Sequence, residues 1–85
     1  MSKVKDMYTN ITVHQYESMV NDIRRDAYGE DVNIHEIYDE GFEMLKRSND
    51  KLTFTIGEWD EHIKELIEVA EQYAQTYKEA LSDDS

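Results

Sequence analysis

Three histidines, His14, His35 and His62, are the side chains best suited to hold a metal or move a proton near neutral pH. A di-iron bundle site needs Glu-x-x-His on facing helices, and none of the three has an acid three residues before it. His35 with Asp39 and Glu58 with His62 stand four residues apart, a spacing at which two side chains share one helix face. Such pairs occur on any charged helix, so solvated or lightly paired histidines are the expectation. The stretch Asp26 to Ile37 has the acidity of a calcium loop but Asp31 where the turn needs Gly and Ile37 where the loop needs Glu. Ser18 and Ser48 lack a nucleophile-elbow or triad context, and no Gly-rich loop is present to cradle phosphate. General acid-base work needs buried carboxylates with shifted pKa values, whereas most here fall on polar helical faces. An enzyme, a cofactor and a metal site are therefore not expected.

The element that must organise the chain is Glu58 to Leu81. Trp59, Ile63, Leu66, Ala70, Tyr73, Tyr77 and Ala80 alternate spacings of four and three, the seam of a long helix. At ~1.5 Å per residue it runs roughly 36 Å, long for so short a chain. Two shorter helices are expected before it. The first runs from about Val13 to Ala27, with Val13, Tyr16, Val20, Ile23 and Ala27 inward, and stops at Gly29. The second runs from about Ile34 to Arg47, burying Ile34, Ile37, Tyr38, Phe42 and Leu45, with Gly41 admitting a neighbouring backbone.

All three helix entries share one grammar. Thr12 with Gln15, Asn33 with Glu36 and Thr55 with Glu58 each place a cap three residues before a Glu or Gln, the spacing of a capping box. Ile11 with Tyr16, Val32 with Ile37 and Phe54 with Trp59 flank them as hydrophobic staples. The first and third entries match at an offset of 43 residues, although two similar helix starts need no common origin. Before the third cap, Lys51 to Ile56 alternates apolar and Thr residues as a short strand does, with Asp6 to Ile11 as its candidate partner. The expected fold is mainly α, a three-helix domain with a long C-terminal helix and a minor two-stranded β element near residues 6–11 and 51–55. One domain covers 1–81, and 82–85 form a disordered acidic tail.

The 85 residues hold no Cys, so stability must come from apolar packing or association. No segment approaches the ~18 apolar residues of a membrane span, and the opening residues lack the apolar run of a signal peptide, so a cytoplasmic protein is expected. Twenty acidic and nine basic residues give a net charge of −11, which disfavours direct binding to nucleic acid or anionic lipid and favours a basic partner.

Those acids are clustered. Glu30, Asp31, Glu36, Asp39, Glu40 and Glu43 follow one another with no Lys or Arg between them, and Glu36, Asp39, Glu40 and Glu43 share one sector of a continuous helix. Glu61, Glu65 and Glu68 form a second row opposite the long helix's seam. Carboxylates at such spacings lie ~5 to 6 Å apart and repel by a few tenths of a kcal/mol per pair.

In size, charge and carboxylate rows the chain resembles the small acidic, often phage-encoded DNA-mimic proteins that occupy the nucleic-acid groove of host proteins. It departs from them in the near-neutral charge of its first helix. The resemblance implies an inhibitor of a basic DNA-binding protein, a nucleoid-associated protein, nuclease or polymerase subunit, acting in a host cytoplasm, with the nine acids named above as its phosphate surrogates. The alternative is a small helical adaptor or assembly protein that binds through its apolar seam. In either case Tyr73, Tyr77 and Leu81 are expected to project past the shorter helices and to support a homodimer.

Overall fold

The computed structural model describes residues 7–47 and 52–83. In chain order these form β1 (Tyr8–Asn10), α1 (Val13–Tyr28), a single 3₁₀ turn (Ile34–Glu36), α2 (Glu40–Arg47), β2 (Thr53–Thr55) and α3 (Ile56–Asp83). The chain is mainly helical with a small antiparallel sheet, as its periodicity and caps predict.

Side-chain capping sets where both long helices start. Thr12 Oγ1 accepts from Gln15 N and Gln15 Oε1 accepts from Thr12 N, each at 3.0 Å. At α3 the same box closes through Thr55 N to Glu58 Oε1 at 2.8 Å and Glu58 N to Thr55 Oγ1 at 3.1 Å. The staple at this entry is a ring contact, with Phe54 and Trp59 centroids 5.0 Å apart. α1 stops where expected, at Gly29, whose φ of 105° favours a residue without a side chain.

The sheet pairs Tyr8 with Thr55, Thr9 with Phe54 and Asn10 with Thr53. Bonds from Ile11 N to Leu52 O (2.8 Å) and from Ile56 N to Met7 O (2.9 Å) extend it at both ends. Asp6 and Lys51, the outer limits of the predicted strands, lie outside the described residues. Two strands alone are marginal, and this pair is anchored by Phe54, buried in the main core.

α1 and α3 lie side by side in the same direction, because their contacts advance together. Tyr16 meets Trp59 and His62 near the start, and Tyr28 meets Tyr77 near the end. The main core joins Tyr16, Val20, Phe42, Phe54, Leu66 and Ala70, and a smaller one joins Tyr28, Ile34 and Ala74. Leu66, Ala70 and Ala74 are almost fully buried, and the two alanines let the neighbouring helices approach closely. With 28 residues, α3 spans about 42 Å against about 24 Å for the 16 of α1.

Four expectations are corrected. The second helix is not continuous from Ile34 to Arg47. Its first turn is 3₁₀, Ile37 is extended, and the α-helix begins only at Glu40. Val13 and Tyr38, expected inside, are 67% and 72% exposed. Gly41 receives a side chain, not a backbone, since Tyr73 Oη accepts from Gly41 N at 2.9 Å. Ser82 and Asp83, expected in a disordered acidic tail, continue α3, and residues 84–85 lie outside the described residues.

Candidate partner-binding surfaces

The break in the second helix and the fate of its acids have one cause. Ile37, Tyr38 and Asp39 are β-branched, aromatic and short-polar, three weak helix formers in a row. Arg24, buried on α1, takes up what the broken helix releases. Its Nη2 donates to Ile37 O and to Asp39 Oδ1, both at 2.9 Å, and its Nε donates to Asp39 Oδ2 at 3.3 Å. Tyr28 adds a hydroxyl to the same carboxylate at 3.2 Å. The guanidinium also lies 5.9 Å from the Tyr28 ring centroid and 5.8 Å from that of Phe42. Burial, and then the neighbouring Asp39 carboxylate, pushes the Tyr28 phenol up to about 12.

Asp39 is therefore no phosphate surrogate. It is 2% exposed and neutralised by Arg24, so it faces no partner. The single sector expected for Glu36, Asp39, Glu40 and Glu43 dissolves with the continuous helix that defined it. Glu36 is exposed on the 3₁₀ turn. Glu40 is exposed and Glu43 half-buried in the first turn of α2, where the positive helix end favours carboxylates. Glu30 and Asp31 are exposed in the loop after Gly29.

The row on α3 is intact. Glu61, Glu65 and Glu68 are all exposed along one flank of an unbroken helix. Lys64 Nζ stands 3.8 Å from Glu61 in open solvent, where such a contact contributes little. Among the described residues, neither Glu65 nor Glu68 forms an ion pair. The remaining pair, Lys46 Nζ to Glu17 Oε1 at 3.0 Å, ties α2 to α1.

On the flank of α3 that faces α1, the two helices leave a groove of about 530 Å³. Met19, Ile23 and Ala27 from α1 and Ile63 and Ile67 from α3 form its floor. Asp22, Asp26 and Glu71 are exposed along its edges, and none of its lining residues is Lys or Arg. Sequence reading missed this groove. Its signal was the placement of Met19 and Ile67 just off the buried stripes, where an apolar side chain widens a helix face beyond what one neighbour covers.

The histidines go to separate places. His14 lies at the end of the groove, and His35 is exposed on the 3₁₀ turn, where its backbone N–H donates to Asn33 Oδ1 at 3.2 Å. His62 is buried 2.5 Å from the Tyr16 hydroxyl and stacks on the Phe54 and Tyr16 rings. Burial lowers the pKa of His62 against an opposing pull from Glu65, and burial, with Glu17, raises Tyr16 to about 12. His35 and Asp39 do not share a helix face, since the helix is interrupted between them. Among the described residues no group of three or more His, Asp or Glu could hold a metal ion, and no helix is long and apolar enough to cross a membrane.

Of the residues expected to join two copies, Tyr73 caps α2 and Tyr77 packs edge-on against Tyr28 at 5.5 Å, so both are half-buried within their own chain. Only Leu81 projects as expected, at 56% exposure. No protein-family model, curated protein or solved structure matches this chain, so its surfaces alone carry the functional reading.

Proposed function

We propose that this protein is a non-enzymatic, acidic DNA mimic that occupies the basic nucleic-acid-binding surface of a partner protein. The observation that carries the reading is the α3 flank, where Glu61, Glu65 and Glu68 stand exposed on a rigid helix. Carboxylates spaced about 5 to 6 Å apart on a rod offer Lys and Arg the same charge-assisted bonds that a phosphate backbone offers. Glu30, Asp31, Glu36 and Glu40 are exposed on other elements and add to the negative charge, whereas Asp39 and Glu17 serve the fold. The net charge of −11 supplies long-range attraction to a cationic surface.

The test is displacement. Proteins captured from a bacterial lysate on the immobilised chain should be DNA-binding proteins, released by excess duplex DNA and by ~0.5 M salt, where screening reaches a few ångströms. Reversing Glu61, Glu65 and Glu68 to Lys should abolish capture while leaving the circular dichroism spectrum unchanged. Capture that survives both the reversal and the duplex competitor refutes the mimicry.

A further inference from the structure

The groove between α1 and α3 adjoins the glutamate row without including it, Glu71 on its edge standing one turn after Glu68, and nothing in the proposed mimicry uses its apolar floor. It is apolar along its floor, where Ile67 is 40% exposed, an unusual position for an aliphatic residue beside other aliphatics with no covering element among the described residues. It follows α1 from Gln15 to Ala27, about 18 Å, the length of some three helical turns.

Two kinds of occupant fit an apolar trough of that length, and charge separates them. A second copy related by a two-fold axis would set Asp22, Asp26 and Glu71 against the same residues of its mate, on molecules that each carry a net charge of −11. A basic helix meets those carboxylates with Lys or Arg on either side of its apolar stripe. Its aliphatic residues at i, i+3 or i+4 and i+7 reach the floor. Met19, flexible and polarisable, suits a groove that must adapt to the shapes of a partner's side chains.

We infer that the α1–α3 groove is a docking site for a basic amphipathic helix of a partner protein. Asp22 and Asp26 on one edge and Glu71 on the other take the helix's cations, and Ile23, Ile63 and Ile67 take its aliphatic stripe. The site shares no residue with the row of Glu61, Glu65 and Glu68, so variants of the two sets test them separately.

The experiment uses the full chain and a synthetic fluorescein-labelled peptide of fourteen residues, with leucines on one helical face and Lys and Arg beside them. Its control is the same composition reordered so that the leucines no longer share a face. Fluorescence anisotropy should show the ordered peptide binding at least tenfold more tightly than the reordered one. The decisive variant is Ile67→Glu, a change at a partly exposed position that adds one negative charge beside the site. Attraction by charge alone predicts tighter peptide binding by this variant, whereas seating of the leucines on the floor predicts binding weaker by tenfold or more. Replacing Asp22, Asp26 and Glu71 with Asn, Asn and Gln should weaken binding severalfold and flatten its salt dependence, and Glu61, Glu65 and Glu68 reversed to Lys should leave the preference for the ordered peptide in place. Equal binding of both peptides, or tighter binding by Ile67→Glu, overturns the inference. So does a dimer in sedimentation equilibrium that Ile67→Glu converts to monomer, because the occupant is then a second copy.

Discussion

Replacing Asp39 with Ala removes the counter-charge of a buried arginine. The carboxylate is 1% exposed and the Arg24 side chain 10%, so water cannot take the place of the lost partner. Deleting one member of a buried pair costs roughly 3 to 5 kcal/mol, because the other charge is left uncompensated. An 85-residue domain has a total stability on the order of 4 to 13 kcal/mol, so the variant loses a large part of it. At about 4 to 8 °C per kcal/mol, the melting temperature should fall by at least ~12 °C. Arg24→Met tests the same pair from the other side, leaving Asp39 with only the Tyr28 hydroxyl. Removing both charges is often far less harmful than removing one. In urea denaturation the double variant should therefore be more stable than the sum of the two single losses predicts, by about 2 kcal/mol or more. A melting temperature for Asp39→Ala within a few degrees of the parent, or strict additivity of the two changes, would refute the reading of Asp39 as a structural residue.

Other outcomes follow from smaller features. A Cβ at Gly41 would stand 2.6 Å from Tyr73 Oη, so Gly41→Ala should cost about 1 to 3 kcal/mol by chemical denaturation, and less in a Tyr73→Phe background, where the nearest ring carbon is 3.3 Å away. Thr55→Ala removes the oxygen that accepts from Glu58 N and should cost about 1 kcal/mol, with hydrogen exchange faster over the first turn of α3. His62 has a lowered pKa, so the unfolded chain binds its proton first. Stability from this group is complete above pH 6.5 and declines as pH falls below it, which denaturation midpoints between pH 7.5 and 5.5 would show. Tyr16 and Tyr28, both raised to about 12, act in the opposite sense. Their contribution is complete below pH 10 and is lost between pH 10 and 12, with phenolate absorbance lagging behind that of the unfolded chain.

Local signals in the sequence were sufficient for the fold class and for both long helices. The Thr12 and Thr55 boxes depend on residues three apart, and the α3 seam repeats from Trp59 to Tyr77, about five turns, before Ala80 turns out to be exposed, so neither needs knowledge of distant neighbours. The second helix failed for the converse reason. Its apolar spacing from Ile34 to Leu45 is helical, but Arg24, ten residues upstream of Ile34, competes for the Ile37 carbonyl and the Asp39 carboxylate. The weak propensities of Ile37, Tyr38 and Asp39 were the one local clue. Asp39 looked like a member of an acidic row because a linear sequence shows charge and not the direction a side chain takes. Tyr73 and Tyr77 looked exposed because α3 outruns α1, yet the 3₁₀ turn and α2 fold back to meet that half of the helix. The groove was invisible for a related reason, since it is a gap between two helices that each read correctly alone.

The parallel course of α1 and α3 makes the molecule electrically polar from end to end. Both helices point their positive termini towards the sheet, and α3 closes its other end with no cation in its last turn and with Glu79 one turn from the tip. The sheet end is thus the less repelling pole to an anion and the far tip the more inviting one to a cation.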